Sequence, residues 1–278
     1  MTGARTGDPR CGVEQTLEQI ARLQHSRRER DARGLYYAEG VRNFVSAVDH
    51  GAEIEGVVVS ERLLTSGVTR QLVRKLRAGG LPTVSVSPEQ FRGVCKSERA
   101  SGIGAILRYP LRPLHGVQPR KGTCWVALTQ VRSPGNLGSL IRTSAAVGGA
   151  GFILVGGAVD PFDPSVVRAS MGSLFRQTFV RTGAPQLLHF ARRHRLQLVG
   201  VSPDGDADYD AVRYRSTPIF VLGDERRGLD PEQRRLCQQL VRIPMLPGTD
   251  SLNLAVAGSL MIYEAFRHVR ARPGVHSV

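Results

Sequence analysis

The chain has 278 residues, 41% of them hydrophobic, and carries 38 Lys and Arg against 24 Asp and Glu, a net charge of +14. Such a length supports one large domain or two modest ones with real cores, and the apolar content excludes a wholly disordered chain. The cationic surplus asks for a polyanion, and nucleic acid, whose neutralised phosphates release counterions, is favoured over a membrane surface. Only Lys75, Lys96 and Lys121 are lysines; a compositional bias explains the preference for Arg but not the excess over acids. No segment approaches the ~20 apolar residues of a spanning helix, and residues 1–10 lack the apolar core of a signal peptide. Cys11, Cys95, Cys124 and Cys237 show no CxxC spacing and the histidines no HxxxH spacing, so a cytoplasmic, reduced, metal-free protein is expected.

Residues 1–12 read as a flexible N-terminus, and 13–109 as a small α/β domain. Val41, Phe44, Val45 and Val48 share one helical face, and Val68, Leu72, Val73 and Leu76 make a second stripe. Strands are expected at 54–59, 83–86 and 103–107. Residues 110–121, rich in Pro, Arg and Gly without an apolar period, read as a linker. The remaining residues, 122–278, read as a second α/β domain with strands at 125–131, 152–155, 196–201, 219–222 and 240–243. Helices are expected at 137–147 and 253–269. Strands alternating with helices imply a mainly parallel sheet that binds its ligand at the strands' carboxyl ends.

Three polar clusters fall at such ends: Arg132-Ser133-Pro134-Gly135-Asn136 running into Arg142, Gly223-Asp224-Glu225, and Thr249-Asp250-Ser251-Leu252-Asn253. Each has a modest explanation. Asn136 stands where a helix cap would fall, worth about 1 kcal/mol. Arg142 could be a snorkelling surface residue or an arginine aimed at a phosphate or ribose. Glu225 could pair with Arg226 or Arg227, and Asp250 or Ser251 could cap the last helix. Capping needs only one residue, however, and three such loops in one half of the chain point to a composite site. Arg168, following Asp163-Pro164, is placed in the first turn of a helix, where a cation opposes the dipole and suggests an anion contact.

Together these residues resemble the SpoU/TrmH family of RNA ribose 2′-O-methyltransferases, within the SPOUT class. The family's first motif is matched by Pro134, Gly135, Asn136, Gly138 and Arg142, and its second by Gly223, Glu225, Gly228 and Leu229. The third is matched by Ile243-Pro244-Met245 and Ser251-Leu252-Asn253. Ser133 stands where many members carry Asp. The first half looks more loosely like the family's ribosomal-protein-like (L30e-like) RNA-binding domain, through Glu39-Gly40.

The resemblance implies a SPOUT domain with a C-terminal trefoil knot, S-adenosylmethionine as cofactor, and a homodimer with the site near its interface. By position, Leu222, Gly223, Gly228, Ile243, Met245, Leu252, Leu254 and Ala257 would hold the cofactor. Asn136, Arg142, Glu225, Ser251 and Asn253 would form the catalytic set, with Arg142 as an electrostatic anchor for the 2′-oxygen and Asn136 orienting it or the ribose. Arg27, Arg28, Arg30, Arg33, Lys96, Arg99 and Arg168 would meet RNA, although a solvated charged face explains such a run equally well. A separate N-terminal RNA-binding domain resembles the members that act on ribosomal RNA, so 23S rRNA is the expected substrate. A tRNA substrate, and a non-catalytic RNA-binding or assembly factor, are the alternatives.

Overall fold

The computed structural model describes residues 9–117, 119, 124–157, 159–214, 217–248 and 251–271, with backbone alone for 9–11. Residues 1–8 of the expected flexible N-terminus, most of 118–123 in the expected linker, and Thr249 and Asp250 of the third cluster lie outside them. Two units emerge: Met1–Tyr109 with Phe162–Phe175, and Pro110–Pro161 with Arg176–Val278.

The first unit runs α1 (Pro9–His25), α2 (Arg27–Arg33), β1 (Leu35–Glu39), α3 (Val41–Asp49), β2 (Ile54–Val59), α4 (Gly67–Ala78), β3 (Thr83–Ser85), α5 (Pro88–Gly93) and β4 (Ile103–Arg108). Its four strands form one mixed sheet in the order β1-β4-β2-β3, with β2 and β3 parallel. Ile20, Leu23, Tyr37, Val58, Phe91 and Ile106 meet in its core. Serines start three of the helices: the hydroxyls of Ser26, Ser66 and Ser87 accept backbone N–H groups of the first turns of α2, α4 and α5. The cap at Ser66 also alters the expected apolar stripe of α4. Ser66 Oγ lies 2.8 Å from Thr69 Oγ1, so a satisfied threonine is buried there and Val68 is left 75% exposed.

The second unit begins with β5 (Leu111–Arg112), inside the expected linker, followed by β6 (Trp125–Leu128), α6 (Pro134–Ala146) and β7 (Gly151–Val155). The chain then contributes α7 (Pro164–Ala169) to the first unit. It resumes with β8 (Thr178–Thr182), α8 (Ala184–Arg193), β9 (Leu198–Val201), β10 (Ala207–Asp208), β11 (Ile219–Leu222), α9 (Pro231–Leu236), β12 (Gln239–Arg242) and α10 (Leu254–Arg270). All eight strands pair in parallel, in the order β10-β12-β9-β11-β6-β7-β8-β5. The central strands are buried from end to end, as expected of a parallel sheet covered on both faces. From β6 the sheet grows one way through β7 and β8, while β9 and β12 lie on the other side. The change of direction falls at the β11–β6 pair, where a doubly wound sheet opens a crevice at its carboxyl edge.

Within 122–278, the segment Phe162–Phe175 packs with the first unit. Phe162 is fully buried, its ring centroid 4.9 Å from that of Tyr36 and 4.3 Å from that of Tyr109. Ser46 Oγ donates to the carbonyl of Gly172 at 2.7 Å. Arg30, expected at the RNA surface, is also absorbed here. It is only 3% exposed, its Nη1 donates to the carbonyl of Leu23 at 2.7 Å, and its guanidinium lies 3.6 Å from Asp163. The inserted segment is therefore part of the first unit's core. Phe162→Ala is expected to destabilise that unit by about 3–5 kcal/mol, read as a lower urea midpoint; an unchanged midpoint would show that the aromatic cluster contributes little.

Candidate active site

The first two polar clusters follow β6 and β11, on the same edge of the sheet, and Ser251–Asn253 of the third lead into α10 after β12. Ser133, not Asn136, caps α6: its Oγ accepts the N–H of Asn136 at 3.4 Å, and Pro134 opens the helix where an N–H would have no partner. Asn253, rather than Asp250 or Ser251, caps α10, its Oδ1 accepting the N–H groups of Ala255 and Val256 at 2.8 and 3.3 Å.

With the caps so assigned, the remaining polar atoms join the clusters to one another. Asn253 Nδ2 donates to Asn136 Oδ1 at 3.0 Å. Asn136 Nδ2 donates to Glu225 Oε1 at 2.7 Å, and the N–H of Ser133 reaches the same oxygen at 3.3 Å. Glu225 thus binds the first cluster and does not pair with Arg226 or Arg227. Its neighbour Asp224 accepts the N–H groups of Arg226 and Arg227 on Oδ1 and the guanidinium of Arg132 on Oδ2 at 3.0 Å. The Arg226 N–H, and after it Arg132 and the Arg227 N–H, hold the Asp224 carboxyl below its ordinary range. The turn closes through reciprocal 2.9 Å backbone bonds between Asp224 and Gly228. Gly223 makes this approach possible, since a Cβ there would stand 2.1 Å from the carbonyl oxygen of Gly228.

Beside this junction lies a cavity of about 330 Å³, within the range of small-molecule sites. Leu222, Gly223 and Gly228 line it from the β11 loop, Ile243 and Met245 from the segment after β12, and Leu252, Leu254 and Ala257 from the head of α10. Glu225 and Ser251 also reach it, whereas Asn136 and Asn253 stand behind as braces. Arg142 does not line the cavity. It lies on the exposed face of α6, without a hydrogen-bond or ion-pair partner among the described residues, and Asn136, with both ends of its amide engaged, does not orient it.

Sequence reasoning overlooked one wall. Ser202, Pro203 and Asp204, after β9, and Arg234 of α9 also line the cavity. Arg234 ties that wall together, donating to Ser202 Oγ at 3.0 Å, Asp204 Oδ2 at 2.9 Å and the carbonyl of Leu229 at 3.2 Å. The signal was a fourth polar run at a strand end, Ser202-Pro203-Asp204-Gly205.

The basic residues expected to meet RNA belong to the first unit. Arg27 pairs with Asp31 and Arg33 with Glu29, whereas Arg28 and Arg99 are exposed. Arg168 lies in the last turn of α7, where the dipole favours a cation, and donates to the carbonyl of Lys96 at 2.9 Å. The helix dipole therefore stabilises Arg168 and gives it no need of an anion. Among the described residues no cluster of His, Cys, Asp or Glu could hold a metal ion, and no helix is long and apolar enough to cross a membrane. Burial pushes the thiols of Cys124 and Cys237 up to about 12, which makes them poor nucleophiles.

Comparison with known families places the SpoU rRNA Methylase family on residues 123–263 and the MRM3-like substrate binding domain on residues 14–105. The chain belongs to the SpoU methylase family. It is 31% identical to the 23S rRNA (uridine(2479)-2′-O)-methyltransferase of Streptomyces viridochromogenes, over 90% of this chain and 89% of that protein. The crystal structure of the SpoU methyltransferase AviRb from the same organism, in complex with the cofactor AdoMet, superposes with a TM-score of 0.84 at 30% identity, covering 92% of this chain and 98% of that one. An AdoMet-bound rRNA methyltransferase from Sinorhizobium meliloti gives 0.83 at 32% identity, covering 91% and 94%.

In this SpoU methylase the lowered Asp224 carboxyl has a consequence for acid stability. A depressed pKa contributes stability that is complete above the free aspartate value of about 3.9 and is lost as the pH falls through the folded value. The difference in urea midpoint between wild type and Asp224→Asn is expected to be constant near neutrality and to close in acid. A gap independent of pH would show that the charge on Asp224 contributes nothing to the turn.

Proposed function

We propose that this chain transfers a methyl group from S-adenosylmethionine to a ribose 2′-oxygen of 23S ribosomal RNA. The observation that carries the reading is the junction of three strand-end loops through Asn253, Asn136 and Glu225 beside a cavity lined by all eight residues expected to hold the cofactor. Relatives named as rRNA methyltransferases, matched over nearly their whole length, support the substrate class.

The donor set fits the cofactor. Leu222, Ile243, Leu252, Leu254 and Ala257 offer apolar walls for an adenine ring, and the Gly223 backbone, which lines the cavity, offers hydrogen bonds to its polar edge. Bound there, the cofactor supplies a methyl group already activated on a sulfonium. The protein's task is then alignment and charge stabilisation rather than activation of the donor. Asn136, Glu225 and Asn253 keep the loops in register, and Ser251 contributes a hydroxyl to the ribose pocket. Arg142 anchors the 2′-oxygen and the adjacent phosphate electrostatically. A guanidinium is a poor base, so the 2′-hydroxyl proton leaves to phosphate or water.

The remaining parts of the proposal follow the family resemblance: a cytoplasmic enzyme, a trefoil knot in the C-terminal loops, an N-terminal domain that recognises RNA, and a homodimer. Support for the dimer comes from α10, which packs against the helix carrying Arg142 yet leaves Val256 48% and Tyr263 52% exposed. Val256→Asp combined with Tyr263→Asp is expected to shift the protein to monomer in sedimentation and to depress turnover. A monomeric wild type would remove the dimer from the proposal.

The reaction is tested with purified protein, tritiated S-adenosylmethionine and unmodified total RNA, the labelled species being separated by size. Label is expected in large-subunit rRNA, with turnover reduced by roughly 10²–10³ in Arg142→Ala, the range of a lost oxyanion donor. Label in tRNA would keep the chemistry and overturn the substrate. Absence of label from naked RNA and from ribosomal precursor particles would overturn catalysis itself.

A further inference from the structure

Arg226 and Arg227, on the turn that forms one lip of the cavity, have no role in the reaction as described. Their backbone is fixed: Asp224 Oδ1 accepts both N–H groups, at 2.8 and 3.0 Å, and the Asp224–Gly228 bonds close the turn beneath them. Both residues are exposed and both line the cavity. Neither guanidinium has a hydrogen-bond or ion-pair partner among the described residues. The neighbouring carboxylates are engaged elsewhere: Glu225 with Asn136, Asp224 with Arg132 and Asp204 with Arg234. Two cations therefore stand side by side on this hydrogen-bonded turn with no counter-charge among the described residues.

The cofactor is a poor candidate for that counter-charge. S-adenosylmethionine carries a sulfonium and an ammonium against one carboxylate, so further cations at its pocket oppose its net charge. An arginine fork matches a phosphodiester in geometry and charge. We propose that Arg226 and Arg227 bind the phosphodiester backbone of the RNA strand as it enters the site, placing the target ribose over the cavity. The proposal rests on the reading of that cavity as the cofactor site.

The full-length protein is compared with Arg226→Gln/Arg227→Gln and with Arg226→Lys/Arg227→Lys. Binding of an unmodified 23S rRNA transcript is measured as a function of salt, and binding of S-adenosylhomocysteine by calorimetry. Each phosphate contact to a single strand contributes a slope of about 0.7 in log K against log salt. The Gln pair is expected to flatten the slope by roughly 1.4 and to weaken RNA binding at low salt about tenfold or more, with S-adenosylhomocysteine affinity unchanged. The Lys pair, which keeps both charges, should restore most of the slope. Weaker S-adenosylhomocysteine binding with an unchanged RNA slope would assign the arginines to the cofactor's carboxylate and overturn the proposal, as would no change in either quantity. If wild type bound no S-adenosylhomocysteine at all, the cavity reading would fail, and the RNA slope would still decide the two arginines.

Discussion

Glu225 Oε1 is the acceptor on which the candidate site converges. It receives Asn136 Nδ2 and the N–H of Ser133 from the β6 loop while its own backbone belongs to the β11 loop. Behind Asn136 stands Asn253 at the head of α10. The direction of this chain is forced. Asn253 Oδ1 is committed to two N–H groups of the helix, so its Nδ2 must face Asn136. Asn136 must then present Oδ1 backwards and Nδ2 forwards, and only an acceptor can end the series. A carboxylate ends it best, because hydrogen bonds to a charged group contribute about 1.5–3 kcal/mol against about 1 for neutral pairs. Amide, amide and carboxylate form one unit, and replacing any of them would strand a donor or an acceptor in its neighbour.

The sheet makes this convergence possible. β6 and β11 are adjacent and in register from Ile219 opposite Trp125 to Leu222 opposite Leu128, so their carboxyl ends deliver the first two loops side by side. α10 then crosses back onto α6 and β11. None of these strands needs a polar residue to form, which is why the polar residues at their ends were informative from the start. A parallel sheet buried on both faces is built from uninterrupted apolar runs, and a dense polar run beside one stands out against it.

How far the sequence could be read depended on the range of the interaction. The central strands, α6, α10 and all three clusters were legible because each depends on local pattern. The identity of the caps was less so. Asn136 and Ser133 are both good capping residues, and the choice between them is made by Glu225, about 90 positions away in the chain. Arg30 looked like part of a basic helix face until Leu23 and Asp163 were found to engage it. The segment Phe162–Phe175 looked continuous with the strands flanking it, because no periodicity marks a loop that finds its partners in Tyr36, Tyr109 and Ser46. Val68 was misplaced for the opposite reason: a purely local hydrogen bond from Ser66 allowed Thr69 to take the buried position.

The distribution of charge around the cavity has its own logic. A site that must accept a sulfonium cannot surround it with free cations, yet an enzyme that acts on RNA must present cations to phosphate. The chain separates the two demands by atom type. Neutral amides and one carboxylate hold the loops, while Arg132 and Arg234, the guanidiniums that do brace the cavity walls, are each paired with an aspartate. The guanidiniums of Arg142, Arg226 and Arg227, without a partner among the described residues, are all exposed. The internal pairing of Asp224 makes that arrangement stiff: the carboxyl that neutralises Arg132 also fixes the backbone from which Arg226 and Arg227 project. One aspartate thereby pairs with Arg132 and fixes the backbone that carries two other cations at the cavity rim.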